Sequence, residues 1–196
     1  MGLPARINWR GMKIETERLV LRPWRAGDEE ALVRHADNRK VWINLRDRFP
    51  HPYTLQDARD WIARHAGDPE PVPNMAIEHA GEAIGGIGLM PMEDVARFNA
   101  EVGYWLGEAF WGRGFAAEAL TGFTGYVFES FPVERLEAWV FATNPNSARV
   151  LEKAGYEYEA TLRRSAFKDG HFLDCHLYVR FRPHRETEAR SGPARA

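Results

Sequence analysis

"YWLGEAFWGRGFAAEAL", residues 104–120, sets three glycines, Gly107, Gly112 and Gly114, and five aromatic residues between the alternation of a strand and the periodicity of a helix. Ala116, Ala119, Leu120, Phe123 and Val127 recur at helical spacing, so the helix entered after Gly114 is predicted to bury one face. A strand that feeds a glycine-lined turn and then a helix gathers free backbone N–H groups and the positive end of the helix dipole at one point, which is a seat for an anion. Gly112 and Gly114 admit a bulky diphosphate without side-chain collision, and Ala116 and Ala117 let the helix sit close to it.

Two phosphate-binding patterns nearly match. Gly112-x-Gly114-x-x-Ala117 has the spacing of a dinucleotide fingerprint, but five residues separate the strand end near Leu106 from Gly112, so the tight turn is missing. The next strand ends "VFATN", without an acid for a ribose hydroxyl. Gly107 and Gly112 are spaced as in a P-loop, yet Arg113 and Gly114 stand where the lysine and the magnesium-binding hydroxyl belong. Binding of NAD or ATP stays as a minor alternative.

Outward from this stretch the chain alternates strands and helices. "RLVLRPW" (18–24) reads as a strand, and "AGDEEALVRHAD" places acids in the first turn of a helix. Thr54 and Asp57 start a second helix that carries Leu55, Ala58 and Ile62 on one face. Between the two helices runs a long connection, residues 38–53, that holds Trp42, Phe49 and Tyr53 among positive charges. "MAIEH", "EAIGGIGLM" and "EVGYWL" give a meander, with the glycines of the second marking a bulge or a close neighbour. After the central helix come the strand "RLEAWVF", a short helix over 145–154, and a hairpin that turns at Asp169-Gly170. The order βααβββαβαββ is that of an α/β fold with an antiparallel meander and one parallel crossover.

Composition narrows the function. With 196 residues, 44% of them hydrophobic, the chain can bury one core. A formal net charge of -2 provides no field to draw it to nucleic acid, and no apolar run is long enough to span a bilayer. One cysteine, Cys175, precludes an intrachain disulfide and reads as a small core residue of the "FLDCHLYV" strand. A cytoplasmic protein is therefore expected. The seven histidines are scattered, and His171 and His176 lack metal-ligand spacing, so no metal is expected.

"EVGYWLGEAFWGRGFAAEAL" together with "NPNSARVLEKAGY" resembles motifs A and B of the GNAT (Gcn5-related) N-acetyltransferases, most closely the branch of RimJ/RimL-type ribosomal-protein N-terminal acetyltransferases. The resemblance covers residues 15–182. It implies a GNAT domain there, with residues 1–14 as a leader and 183–196 as a flexible tail. It also implies a mixed, mostly antiparallel central sheet with splayed central parallel strands flanked by helices. Acetyl-CoA is the implied acyl donor. Its pyrophosphate would lie on Trp111, Gly112, Arg113, Gly114, Phe115, Ala116 and Ala117, where Trp111 replaces the polar residue of the general pattern. Tyr104, Trp105 and Leu106 would offer backbone groups to the pantetheine arm, Gly107 would help the strands splay, and Asn144 would bond the pantetheine while capping a helix.

Transfer of an acetyl group from sulfur to an amine needs a neutral amine, an oxyanion donor and a proton for the departing thiolate. The resemblance implies that a backbone N–H of the segment 104–106 polarises the thioester. Ser147, the inward hydroxyl of motif B, is the candidate proton donor, with Tyr156 in reserve. By the resemblance Glu101 stands where a glutamate recurs in RimJ/RimL-like enzymes and is the candidate base; alternation puts it on the face of Gly103 and Trp105, opposite Val102 and Tyr104. An α-amine, with a pKa of about 8, asks little of a base. The resemblance also implies an acceptor groove between residues 38–53 and 162–172, where Trp42, Phe49 and Tyr53 would wall a peptide and Arg46, Arg48, Arg163 and Arg164 would meet acidic groups. A protein or peptide N-terminus is the first candidate acceptor. A polyamine or antibiotic amine is the second, and a non-catalytic CoA-binding module the third. Monomer and homodimer are both compatible with these features.

Overall fold

The computed structural model describes residues 12–65 and 73–183. Their strands are β1 (Ile14–Glu15), β2 (Val20–Pro23), β3 (Asn74–His79), β4 (Glu82–Pro91), β5 (Asn99–Leu106), β6 (Arg135–Phe141), β7 (Glu157–Lys168) and β8 (His171–Phe181). Their helices are α1 (Glu29–Ala36), α2 (Arg39–Trp42), α3 (Leu55–His65), α4 (Phe115–Ser130) and α5 (Pro145–Lys153). The strands make one sheet in the order β1-β2-β3-β4-β5-β6-β8-β7. Ile14, which the sequence reading places in the leader, pairs with Leu21 in β1. The rest of the proposed leader up to residue 11, the tail from residue 184 and most of the proline-rich break before β3 lie outside the described residues.

Every neighbouring pair is antiparallel except β5–β6. That parallel register covers only Asn99↔Arg135, Ala100↔Leu136 and Glu101↔Glu137. Beyond it β5 stays paired with β4 up to Gly85↔Leu106, and β6 stays paired with β8 up to Phe141↔Cys175. The two central strands therefore diverge after Glu101 and leave a gap in the middle of the sheet. Gly107 was expected to open this gap, but it lies past the point of divergence. Its role is contact, because a Cβ there would sit 2.8 Å from His35 Nδ1.

Helices cover both faces. α4 buries Ala119, Leu120, Phe123 and Val127 in the cluster of Val102, Leu106 and Leu136, as the helical spacing predicts; Ala116, expected on the same face, is only partly buried there, and Phe115, outside the predicted set, is buried. Its C-terminal end is closed by Arg182, whose Nε donates to the Val133 carbonyl at 3.0 Å while its other nitrogens reach the carbonyls of Phe128 and Phe131. α1 and α3 cover the opposite face through Leu32, Ala36, Ala58 and Ile62, packed with Trp24 and Tyr53. Within β4 both readings of the glycines hold. The register shifts where Ile77 pairs with Gly85 and Glu78 with Ala83. A Cβ on Gly85 would fall 2.2 Å from the Trp105 carbonyl oxygen.

Candidate active site

Divergence after Glu101 strips β5 of a partner on one side, and alternation decides which groups face the gap. Gly107 N–H donates to the Ile84 carbonyl at 2.9 Å, so odd-numbered positions near it turn their main chain toward β4. Trp105 obeys this, its carbonyl being the atom that crowds Gly85. Tyr104 and Leu106 thus turn their backbone groups into the gap, and Trp105 does not, which corrects the expectation that all three do so. Leu106 is partly committed already. Its carbonyl accepts from Trp111 Nε1 at 2.8 Å. Through this bond the indole closes the loop that leads to the glycines.

Gly112 and Gly114 sit at φ 73° and 81°, a region that side chains with a Cβ enter only with strain. Space beside Gly112 is open, with no heavy atom within 4 Å of the position a Cβ would take. Gly114 is the N-cap of α4 and provides no side-chain cap, and the helix bonding starts with Glu118 N–H to the Gly114 carbonyl at 3.0 Å. The amides of Phe115, Ala116 and Ala117 are the orphan donors of that helix start. An open cradle, left-handed glycines and uncapped amides fit the pyrophosphate of a CoA thioester. Phe115 anchors the turn in the core, with Arg18 and Arg113 over its ring at 4.7 and 4.6 Å.

Arg18 carries no signal in the sequence and is brought to this loop by β1 and β2. Its Nη1 donates to the Arg113 carbonyl at 3.0 Å, and its Nε donates to Glu118 at 2.7 Å. Burial opposes the charge on Glu118, but the Thr16 hydroxyl and the Arg18 amide and guanidinium outweigh it and hold the carboxyl below its ordinary range.

On the α4–α5 face of the gap stands a pair of hydroxyls. Tyr104 Oη lies 2.8 Å from Ser147 Oγ and 3.2 Å from the Ser147 carbonyl. Burial pushes the Tyr104 phenol far above its usual value; the Ser147 bond lowers it and Tyr156 raises it further, so the phenol stays protonated. Asn144 caps α5 by accepting from Ser147 N–H at 3.2 Å, and this orients the serine. Tyr156, the reserve donor, is buried and bonded to Thr124 at 2.8 Å as part of the core. The Tyr104 hydroxyl was missed from the sequence, where only its backbone drew attention. Strand alternation, which set it opposite Glu101, was the available signal.

On the opposite face Glu101 meets the long connection. Arg46 Nη2 lies 2.6 Å from both Glu101 carboxylate oxygens. Phe49 packs edge-on to Trp105 with centroids 5.4 Å apart. Tyr53, expected to wall the groove, is instead core, 5% exposed and packed on Phe49. Trp42 is covered by Lys168, whose Nζ sits 3.7 Å from the ring centroid and donates to Asp47 at 2.8 Å. Arg164 lies over Phe172 at 4.9 Å, on the hairpin. Cys175 is buried in β8, and among the described residues no group of three potential ligands could hold a metal. No described helix is long and apolar enough to cross a membrane.

A family model described as "Acetyltransferase (GNAT) domain" matches residues 18–157. The chain belongs to the GNAT family. It is an acetyl-CoA-dependent N-acetyltransferase, and its relatives include enzymes of the RimJ/RimL type. It is 31% identical over 170 residues to the uncharacterized N-acetyltransferase p20 of Bacillus licheniformis, across 83% of this chain and 92% of that one. Ribosomal-protein-serine acetyltransferase of Escherichia coli strain K12 is 30% identical over 99 residues, which are 50% of this chain and 55% of the relative. The fold matches RimL, the ribosomal L7/L12 alpha-N-protein acetyltransferase solved with coenzyme A, with a TM-score of 0.74 at 19% identity over 87% of this chain and 98% of that one.

Proposed function

We propose that this GNAT enzyme acetylates the α-amine of a protein or peptide N-terminus by direct transfer, with Glu101 on the acceptor side of the gap and Ser147 with Tyr104 on the thiol side. The observation that carries this reading is the divergence of β5 and β6 after Glu101↔Glu137, which leaves unpaired backbone flanked by a carboxylate on one face and two hydroxyls on the other. Bound acetyl-CoA supplies the acetyl group as a thioester. Amides of residues 112–117 would hold its pyrophosphate, and the gap-facing backbone groups of Tyr104 and Leu106 would be available to its pantetheine arm. The Tyr104 N–H, facing the gap, is the donor for the carbonyl oxygen that gains charge during attack.

Glu101 accepts a proton from the incoming amine, directly or through water. An α-amine with a pKa of about 8 is partly neutral before it binds, so a carboxylate that orients and finishes deprotonation suffices. The departing sulfur takes its proton from the Ser147 hydroxyl as Tyr104, protonated beforehand at any working pH, passes its own to Ser147, and Tyr104 regains a proton from solvent once the products leave. The α-amine is tested with three acceptors: a peptide with a free N-terminus and blocked lysines, the same peptide with a blocked N-terminus and a free lysine, and spermidine. Mass spectrometry is expected to find acetyl transfer to the first alone. Transfer to spermidine alone would establish a small-amine enzyme instead.

A further inference from the structure

Glu101 is held by an arginine that chain geometry places on purpose-built supports. Residues 46–49 are tied down on three sides: Arg46 to Glu101 on β5, Asp47 to Lys168 at the end of β7, and Phe49 against Trp105. Lys168 is 2% exposed, and its charge is balanced by Asp47 and by the Trp42 face. Asp47 is thereby removed from the local balance around Glu101. Arg48 adds a second guanidinium, donating to Met90 Sδ at 2.8 Å, and Met90 is the residue paired with Glu101 across β4 and β5. Among the described residues Arg48 has no ion-pair partner. Arg46 thus holds Glu101 and Arg48 stands on Met90 beside it, while Glu137, paired with Glu101 across β5 and β6, is held separately by Arg135 Nε at 2.9 Å.

An amine that reaches Glu101 must take the place of the Arg46 guanidinium. Arg46 is then left without its partner unless the acceptor brings one. We infer that the acceptor carries an anionic group next to its amine, specifically an acidic side chain at the residue following the N-terminal one, and that Arg46 exchanges Glu101 for that group as the amine takes Glu101. The inference rests on the α-amine reading above and deepens it. Charge arrangement rejects polycationic acceptors by the same means, because a second positive charge would meet Arg46 and Arg48. Arg46 is half-exposed, which lets it turn without unfolding the loop that Asp47 and Phe49 hold.

The test compares kcat/KM for peptides that differ only in their second residue, glutamate, glutamine or lysine, in the wild type and in Arg46→Gln and Arg48→Gln. In the wild type the glutamate peptide is expected to exceed the lysine peptide by roughly five- to tenfold, the scale of one or two partly exposed ion pairs. That ratio should shrink as salt is raised and fall toward one in Arg46→Gln. Equal rates for the three peptides, or a preference that Arg46→Gln leaves intact, would overturn the inference while leaving the α-amine reading in place. No transfer to any peptide, with spermidine acetylated, would overturn both. Free glutamate against its α-carboxamide forms the last arm: faster transfer to the free amino acid than to any peptide would keep the anion requirement and overturn the acidic peptide as its source.

Discussion

Ser147 and Tyr104 share one hydrogen bond, so their losses should overlap. Ser147→Ala and Tyr104→Phe are each expected to lower kcat about a hundredfold with little change in the KM for acetyl-CoA, and the double variant should be scarcely worse than either single one. Steady-state kinetics of the three proteins checks this; fully additive losses would mean two independent roles. Because burial raises the Tyr104 phenol, its ionisation should produce no fall in kcat below about pH 10. Glu101→Gln should reduce kcat/KM most at neutral pH and recover above about pH 8, where the α-amine is neutral unaided. A deficit that persists at high pH would show that Glu101 does more than receive the proton. At this scale the sequence revealed the positions and missed their partners. Period-two alternation put Glu101 and Tyr104 on opposite faces, but Arg46 and Glu101 are 55 residues apart, and only the folded chain joins them.

Elements were more legible than their contacts. Asp169-Gly170 was read as a tight turn, and both residues have positive φ, 51° and 82°, as such a hairpin needs. The four-residue α2 inside the long connection went unread, since Asn38 caps it by accepting from Lys40 N–H and no apolar period announces it. Arg18 was also hidden, because its importance comes from the β1–β2 hairpin delivering it to the Arg113 carbonyl at the start of α4. Arg18→Met should therefore loosen the phosphate loop: the KM for acetyl-CoA should rise several-fold, on the order of one charge-assisted hydrogen bond. Acetyl-pantetheine, which lacks the diphosphate, should be used as well as by the wild type. An equal loss with both donors would point to general damage of the hairpin.

Across the whole molecule the sheet does two jobs with one set of strands, closing a core on both faces while leaving a gap at its centre. Tyr156 belongs to the core side of that division. Burial pushes its phenol up to about 12, with the Thr124 bond and Arg180 acting in the opposite sense. A raised folded value means that the stabilisation is complete below the unfolded value of about 10 and is lost as pH climbs toward the folded one. Urea midpoints should thus decline between about pH 10 and 12, and Tyr156→Phe should flatten that decline although its own stability is lower at neutral pH. The central claim, a CoA seat at Gly112 and Gly114, is tested most directly by the melting temperature with acetyl-CoA, CoA, ATP and NAD, for the wild type and for Gly112→Val, which fills the cradle. At ligand a hundredfold above Kd, a rise on the order of 5–10 °C is expected with the two CoA forms alone, lost in Gly112→Val. A folded wild type whose midpoint does not move with either CoA form would contradict the claim.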